Sequence, residues 1–496
     1  MAMKYLAYLK QLGYVSYFFQ SQAIIRRIFQ QAFPMFLGQL AVVGYGVLDS
    51  AMCGHRDAQS LAALALAGGV YLTCSIGFGG ILLSLNPLVA HDFGAQKTHR
   101  VRVWLFQSIW PVLLCTVLSL LVFQVVKACL PLLGFEPGLL LANERYLNII
   151  SFGLPAAFGL RALYAISNAI SENARVMRTQ MIGLCLKIPL NYVFIFYLPE
   201  QFAIFNGLEA SSACAIATAI TFWVLLILMC REFYRHPMHR QILNKSRSAQ
   251  QIAAFVQLPV AFAFNKYYQF KLIRLGVPSA LIITTEVAAF TFMAWLIAPF
   301  GAIQTAAHQI AACFAGVVYM VPLSMAIATS TQVAQQLGAQ QPEQARKIAI
   351  GGLLSGTLIT MALGFVVLIL APNIARFYTD DLAVMALAAV LLRWVCVYQC
   401  VDAVQAIVCN VLRAYKVTVL PMIIYFVSLL GVGFSIGYAS AHQKGIFAQL
   451  PFDKAHGYWF GTSIGLTITA IFLCILLFKM FRRYNTQAAI SASAIK

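Results

Sequence analysis

Twelve apolar stretches, each long enough to cross a hydrocarbon core about 30 Å thick as a helix, divide the chain almost from end to end. They run near 24–50, 59–86, 103–131, 146–170, 179–198 and 210–230, then 275–299, 305–332, 348–371, 383–412, 417–440 and 458–478. No water reaches a bilayer core to satisfy backbone N–H and C=O groups, so stretches of this length must close their hydrogen bonds internally as helices. Composition agrees: at 61% hydrophobic and 10% charged, 496 residues carry too little polar surface to cover a water-soluble core. The fold class is an all-α polytopic membrane protein.

The segment from Tyr5 to Phe19 is aromatic but interrupted by Lys10 and Gly13, which suits an interfacial helix, and it lacks the small-residue cleavage site of a signal peptide. With the N-terminus placed in the cytoplasm, that side holds Lys4, Lys10, Arg26, Arg27, Lys97, Arg100, Arg175, Arg178, Arg346, Lys347, Arg413, Lys416, Lys479 and the basic run from Arg231 to Arg274. The outer side keeps Arg56, Lys127, Arg145, Arg376, Lys444 and Lys454 together with acids such as Glu200, Asp380 and Asp381. The positive-inside rule then puts both termini of this multi-pass chain in the cytoplasm. The net charge of +19 is dispersed over loops beside apolar spans, without the aromatic and glycine patterns of RNA-binding modules, so it reads as topology and lipid contact rather than nucleic-acid binding. The twelve cysteines form no CxxC pair and no HExxH helix occurs, so no disulfide, resident metal or cofactor is expected. Neither a Gly-x-Ser-x-Gly elbow nor a Walker loop is present, which speaks against an enzyme and against ATP-driven pumping.

The chain is an internal repeat. Pro34 matches Pro278 and Gly94 matches Gly338 at one offset, since 278 − 34 = 244 and 338 − 94 = 244. In that register Val89-Ala90-His91-Asp92-Phe93-Gly94-Ala95-Gln96 faces Val333-Ala334-Gln335-Gln336-Leu337-Gly338-Ala339-Gln340 without a gap. Six helices per half is an even number, so the halves share orientation and form two six-helix lobes related by a pseudo-twofold axis along the membrane normal. The expected organisation is an N-terminal interfacial segment at 1–22, a first lobe at 23–232, a basic cytoplasmic linker at 233–272, a second lobe at 273–484 and a cytoplasmic tail at 485–496. Within the linker, Ile252 to Phe264 is semi-apolar and suits the membrane surface. Two like-oriented bundles of this kind suit alternating access, the architecture of a secondary transporter.

Only three of the fifteen carboxylates, Asp49, Glu286 and Asp402, lie inside long apolar stretches. A carboxylate at mid-bilayer depth costs several kcal/mol unless it is protonated, paired or faces a wet cavity, so these three are the candidate functional groups. The plainer alternative is that they only hydrogen-bond neighbouring helices. At a helical rise of about 1.5 Å per residue, Glu286 counted from Arg274 and Asp402 counted back from Arg413 both lie roughly 16 to 18 Å from the inner face. Tyr398 precedes Asp402 by one helical turn and shares its face. Two carboxylates at one depth beside a phenol suit a small hard cation or a shared proton. Asp49 lies nearer the outer end of its helix and reads as a separate site. It corresponds in the repeat to Met293 (49 + 244 = 293), and Glu286 corresponds to Val42, so duplication did not copy one acidic site.

At these residues the sequence resembles the multidrug and toxic compound extrusion (MATE) family, in particular its bacterial NorM-type branch. The resemblance rests on Val47-Leu48-Asp49-Ser50-Ala51-Met52-Cys53-Gly54, Ile188-Pro189-Leu190-Asn191-Tyr192, Thr284-Thr285-Glu286-Val287, Ala306-Ala307-His308-Gln309, Tyr398-Gln399-Cys400-Val401-Asp402 and Leu412-Arg413-Ala414-Tyr415-Lys416. It implies a monomeric twelve-helix antiporter that expels small amphipathic, cationic drugs or dyes while Na+ or H+ runs inward. It implies further a cation site in the second lobe at Glu286, Tyr398 and Asp402, and a polar site in the first lobe at Asp49 and Asn191. A lipid-linked oligosaccharide or other lipid flippase of the same wider superfamily is the alternative, although such proteins line their cavities with many basic residues.

Three charged residues depart from the pattern. Lys187 stands where NorM-type relatives carry an asparagine, one turn before Asn191, and Arg161 and Arg393 are further charges inside spans. A buried ammonium needs a carboxylate, and Asp49 is the one the first half offers within a span. Straight-helix counting puts Lys187 roughly 14 Å deep and Asp49 roughly 33 Å deep, which argues against a direct pair, whereas the resemblance brings Asp49 towards Asn191. Lys187 is thus a candidate modulator of the first site.

Overall fold

The computed structural model of the chain describes residues 14–133, 137–201, 209–235, 263–444, 452 and 454–493. The expected interfacial stretch before residue 14 and the linker stretch from Ile252 up to residue 262 lie outside them. Among the described residues, eleven helices are long and apolar enough to cross a membrane, and one pair bent by 49° brings the number to twelve. In chain order they are α1 (Gln22–Arg56), α2 (Gln59–Gly94), α3 (Thr98–Leu132), α4 (Pro137–Ser151 with Leu154–Ala169), α5 (Asn173–Tyr197) and α6 (Ala210–Arg235). The second set is α7 (Lys266–Phe300), α8 (Ala302–Gly338), α9 (Pro342–Tyr378), α10 (Leu382–Ala414), α11 (Val419–Ala441) and α12 (Lys454–Tyr484). The all-α, twelve-helix reading of the sequence therefore holds. The fourth span starts earlier than the sequence pattern suggests and bends at Phe152–Gly153, where Pro155 lacks a backbone donor and a Cβ on Gly153 would come within 3.1 Å of Ala219 Cα.

The repeat is written into the backbone. Gln96 and Gln340, 244 residues apart (340 − 96 = 244), both adopt positive φ, at 57° and 59°. Each closes the same helix end: Lys97 N–H donates to Asp92 O at 2.9 Å, and Gln341 N–H donates to Gln336 O at 2.9 Å. These bonds satisfy carbonyls that the ending helix leaves orphaned. A second pair of helix ends repeats at an offset of 245 (416 − 171 = 245), with Ser171 at φ 67° and Lys416 at φ 61°. Neither turn uses glycine, so the positive φ comes from turn geometry retained in both halves.

The described chain forms two compact units, and their division does not follow the boundary between the halves. One unit is Leu37–Val287; the other joins Met1–Phe36 to Ala288–Lys496. Both divisions fall inside a first helix of a half, α1 or α7. Within the Leu37–Val287 unit, the start of α7 crosses α2 at glycine: a Cβ on Gly80 would lie 2.6 Å from Ala280 Cα, and one on Gly276 would lie 2.7 Å from Ile81 O. Tyr268 of α7 meets Trp104 of α3 edge to face, 4.7 Å between ring centroids. Within the other unit, the start of α1 meets α8 through Gln332 Nε2, which donates to Gln31 Oε1 at 3.0 Å, and meets α9 where Ile24 lies against Gly351. The first helix of each half thus packs its opening turns on the second and third helices of the other half.

The tightest seam joins α11 to α12. Gly457, Gly461 and Gly465 recur every four residues on one face of α12. A Cβ on Gly461 would approach Gly437 N to 2.2 Å, one on Gly457 would approach Ala441 N to 2.3 Å, and one on Gly465 would approach Ser428 O to 2.7 Å. Apolar side chains gain nothing by leaving lipid for one another, so close backbone contact between small residues supplies the packing. We expect Gly461→Leu to lose the folded protein, because the added side chain overlaps backbone rather than a movable neighbour, whereas Gly431→Leu, with nothing within 4 Å, should be tolerated. The fraction of monodisperse protein after detergent extraction checks both; equal yields would show that the seam is not tight.

Candidate functional site

In the Leu37–Val287 unit, three helices bring the sequence-derived first-half residues together. Asp49 comes from the outer part of α1, Lys187 and Asn191 from one face of α5 at i and i+4, and Thr218 from α6. Lys187 Nζ lies 2.8 Å from Asp49 Oδ2, with the lysine side chain 1% and the aspartate side chain 11% exposed. Nζ also donates to Thr218 Oγ1 at 2.6 Å, and it lies 5.7 Å from the centre of the Tyr45 ring. Thr218 passes its single proton to Cys214 O at 2.7 Å rather than to Asp49 Oδ2 at 3.5 Å, so its lone pairs face the ammonium. Asn191 Nδ2 donates to Asp49 Oδ1 at 2.8 Å, while Asn191 Oδ1 is buried without a hydrogen-bond partner. Tyr45 is held by donating to Gln180 O at 2.7 Å. That approach is possible because residue 183 is glycine; a Cβ there would lie 2.2 Å from the Tyr45 hydroxyl.

The ion pair overturns straight-helix counting. Helix runs unbroken from Tyr14 to Arg56, 43 residues. At 1.5 Å per residue that is about 65 Å, roughly twice the hydrocarbon thickness, so Arg27 does not mark the membrane face and depths counted from it are overstated.

In the other unit, Tyr398 and Asp402 stand one turn apart on α10 and are 4% and 2% exposed. Tyr398 sits in an aromatic cluster, with Phe290 of α7 at 5.8 Å and Trp459 of α12 at 5.6 Å between ring centroids, both edge to face. His308 of α8, 1% exposed, adds its ring 5.9 Å from Trp459. Glu286 is half-buried on α7 and belongs to the Leu37–Val287 unit, one residue before that unit ends.

The sequence reading missed Thr218, although a signal was present: Ser211, Cys214, Thr218 and Thr221 lay a small polar stripe along an otherwise apolar helix. Its repeat counterpart is Thr462 (218 + 244 = 462), whose hydroxyl donates to Tyr458 O at 2.8 Å just as Thr218 donates to Cys214 O. Thr462 also faces Met293 Sδ at 3.9 Å, and Met293 is the counterpart of Asp49. Arg161 finds its room beside Gly79, where a Cβ would lie 2.9 Å from Arg161 Cδ, and it donates to Ser75 Oγ at 3.4 Å. Arg393 is exposed on the outside of α10, as a snorkelling side chain would be.

Like-oriented repeats of six spans with ionisable groups inside the membrane define the class of a multi-pass membrane transport fold. A family model described as MatE matches residues 34–193 and 278–439, one segment in each half, and the chain belongs to this family, the one its motifs resemble. It is 30% identical over 93% of its length to the probable multidrug resistance protein NorM of Mannheimia succiniciproducens, covering 95% of that protein. It is 31% identical over 92% of its length to the multidrug resistance protein NorM of Aliivibrio fischeri, again covering 95% of that protein. Among solved structures, a multidrug resistance MATE family transporter in an outward-facing conformation superposes with a TM-score of 0.80 at 16% identity, covering 93% of this chain and 97% of that one. A eukaryotic MATE transporter superposes with a TM-score of 0.77 at 18% identity, covering 94% of this chain and 99% of that one.

Removing one partner of a buried ion pair strands the other charge, which costs about 3–5 kcal/mol. Asp49→Asn should therefore lower the thermal stability of the detergent-purified protein sharply, and adding Lys187→Met in the same chain should restore most of it. Additive losses in the double variant would show that the two side chains act independently.

Proposed function

We propose that the chain is a secondary active exporter of amphipathic, cationic drugs that uses inward flow of Na+ or H+ and alternating access of its two lobes. It works as a monomer in the bacterial inner membrane with both termini in the cytoplasm. The observation that carries this reading is Asp402: a carboxylate 2% exposed on a membrane-spanning helix, one turn from a buried tyrosine. Such a group is retained at a cost of several kcal/mol, which its use in ion coupling accounts for. The names of the NorM relatives, at 30% and 31% identity over nearly the whole chain, support drug export in particular. In this reading Glu286, Tyr398 and Asp402 serve the coupling ion, Asp49 and Asn191 form the first-half polar site, and Lys187 modulates it. The aromatic faces of Phe290, Tyr398 and Trp459 are of the kind that receives lipophilic cations by burial and cation–π attraction. No cofactor is required, because the ion gradient supplies the work.

The deciding experiment is dye efflux from proteoliposomes with the Na+ and H+ gradients imposed one at a time. Efflux driven by one gradient supports the reading; efflux indifferent to both removes it. Asp402→Asn and Glu286→Gln should each abolish gradient-driven efflux, to below about one tenth of the parent rate, while leaving insertion and thermal stability in place. Full transport by either folded variant would dismiss the assignment. Tyr398→Phe should weaken ion dependence modestly and Tyr398→Ala severely, since the second also removes the ring from its aromatic cluster. Equal and negligible effects would place Tyr398 in the packing alone. Orientation is checked by impermeant labelling of cysteines placed singly at Lys97 and Asp381, expected from the cytoplasmic and outer sides respectively.

A further inference from the structure

We propose that Lys187 is a tethered cation: its ammonium fills the place in the first-half site that an inorganic cation would take, so no exchangeable ion binds at Asp49. The oxygens around it are those a small hard cation selects. Asp49 Oδ2 lies 2.8 Å and Thr218 Oγ1 2.6 Å from Nζ, and the second carboxylate oxygen, Oδ1, is held by Asn191 at 2.8 Å. Asn191 takes part only through Nδ2, which fixes the carboxylate, while its Oδ1 is buried without a hydrogen-bond partner. A carboxylate and a hydroxyl oxygen are among the ligand types that replace a hydration shell. Instead of a metal ion the site holds a charge fixed to the chain by a side chain 1% exposed.

The placement is built rather than incidental. Lys187 is anchored on α5, its ammonium lies 5.7 Å from the centre of the Tyr45 ring, and Tyr45 is locked by its bond to Gln180 O and by the missing Cβ at Gly183. Asp49 is neutralised at a fixed position, without an ion that arrives and leaves. The consequence rests on the proposed antiport: one ion site remains to drive the cycle, the one at Asp402, and the first half binds its counter-charge permanently. Removing the ammonium should open a cation site where the native chain has none.

The test reads ion binding directly, without transport, so it stands whether or not the efflux reading does. Radioactive 22Na+ binding is measured by equilibrium dialysis on the full-length chain in detergent, in an Asp402→Asn background that disables the second-half site. With Lys187 intact, no Na+ should bind. Adding Lys187→Ala should raise binding to about one Na+ per chain, and further adding Asp49→Asn should abolish it. If Lys187→Ala does not yield folded protein, Lys187→Ser, which leaves room for an ion beside one more oxygen, takes its place. Two results would overturn the proposal: Asp49-dependent Na+ binding with Lys187 present, or no gain of binding in a folded Lys187 variant. A merely structural lysine would change stability and leave Na+ binding at zero throughout.

Discussion

A charge placed in hydrocarbon must be answered at the place where it lies, and this requirement organises the chemistry of the molecule. Lys187, 1% exposed on α5, is answered by Asp49 and the face of Tyr45 from α1 and by Thr218 from α6. Meeting that demand ties α1, α5 and α6 together at one depth, and the outer part of α1 is thereby held in the Leu37–Val287 unit although its opening turns belong to the other. Replacing a buried pair by apolar groups is often neutral or stabilising, so stability alone does not explain its retention. A fixed position and a fixed charge are what the pair contributes.

The second constraint is the weakness of association between apolar helices in lipid. Packing must come from contact between backbones, and the molecule places glycine where two helices cross: Gly80 and Gly276 between α2 and α7, and Gly457, Gly461 and Gly465 between α11 and α12. The first crossing has a topological result. It holds the opening turns of α7 on helices of the preceding half, while the opening turns of α1 rest on α8 and α9 through Gln31 and Ile24. Each half therefore lends the start of its first helix to the other.

Much of this was legible in the residues, and the exceptions have physical causes. Apolar length identified the spans because a bilayer leaves the backbone no alternative to helix. The repeat was visible as a shared offset, and Gln96 and Gln340 bear it out in their φ angles, although neither residue type announces a positive φ. Depth was read poorly for Asp49, because helices that run beyond the membrane break the link between residue count and level. The fourth span, placed by its apolar length at 146–170, gives no sign of its 49° bend because Gly153 and Pro155 look alike whether they bend a helix or merely sit in it. Thr218 escaped notice since a threonine in an apolar helix most often bonds its own preceding turn, and Thr218 does that as well, donating to Cys214 O. Its second role exists only once α5 supplies the lysine.

Comparing the two halves at that threonine separates scaffold from chemistry. Thr218 and Thr462 occupy equivalent positions, bond the equivalent carbonyls of Cys214 and Tyr458, and face the equivalent residues Asp49 and Met293. The geometry of the crossing was inherited by both halves, yet one carries a carboxylate answered by a lysine and the other a thioether in an apolar setting. In the second half the acidic group stands instead on α10, at Asp402, beside a tyrosine in an aromatic cluster. A duplicated frame that keeps its backbone contacts while moving its charges can give the halves different tasks without disturbing how either one folds. In this chain the first half holds a balanced pair, and the second holds a buried carboxylate one turn from a tyrosine packed among aromatic rings.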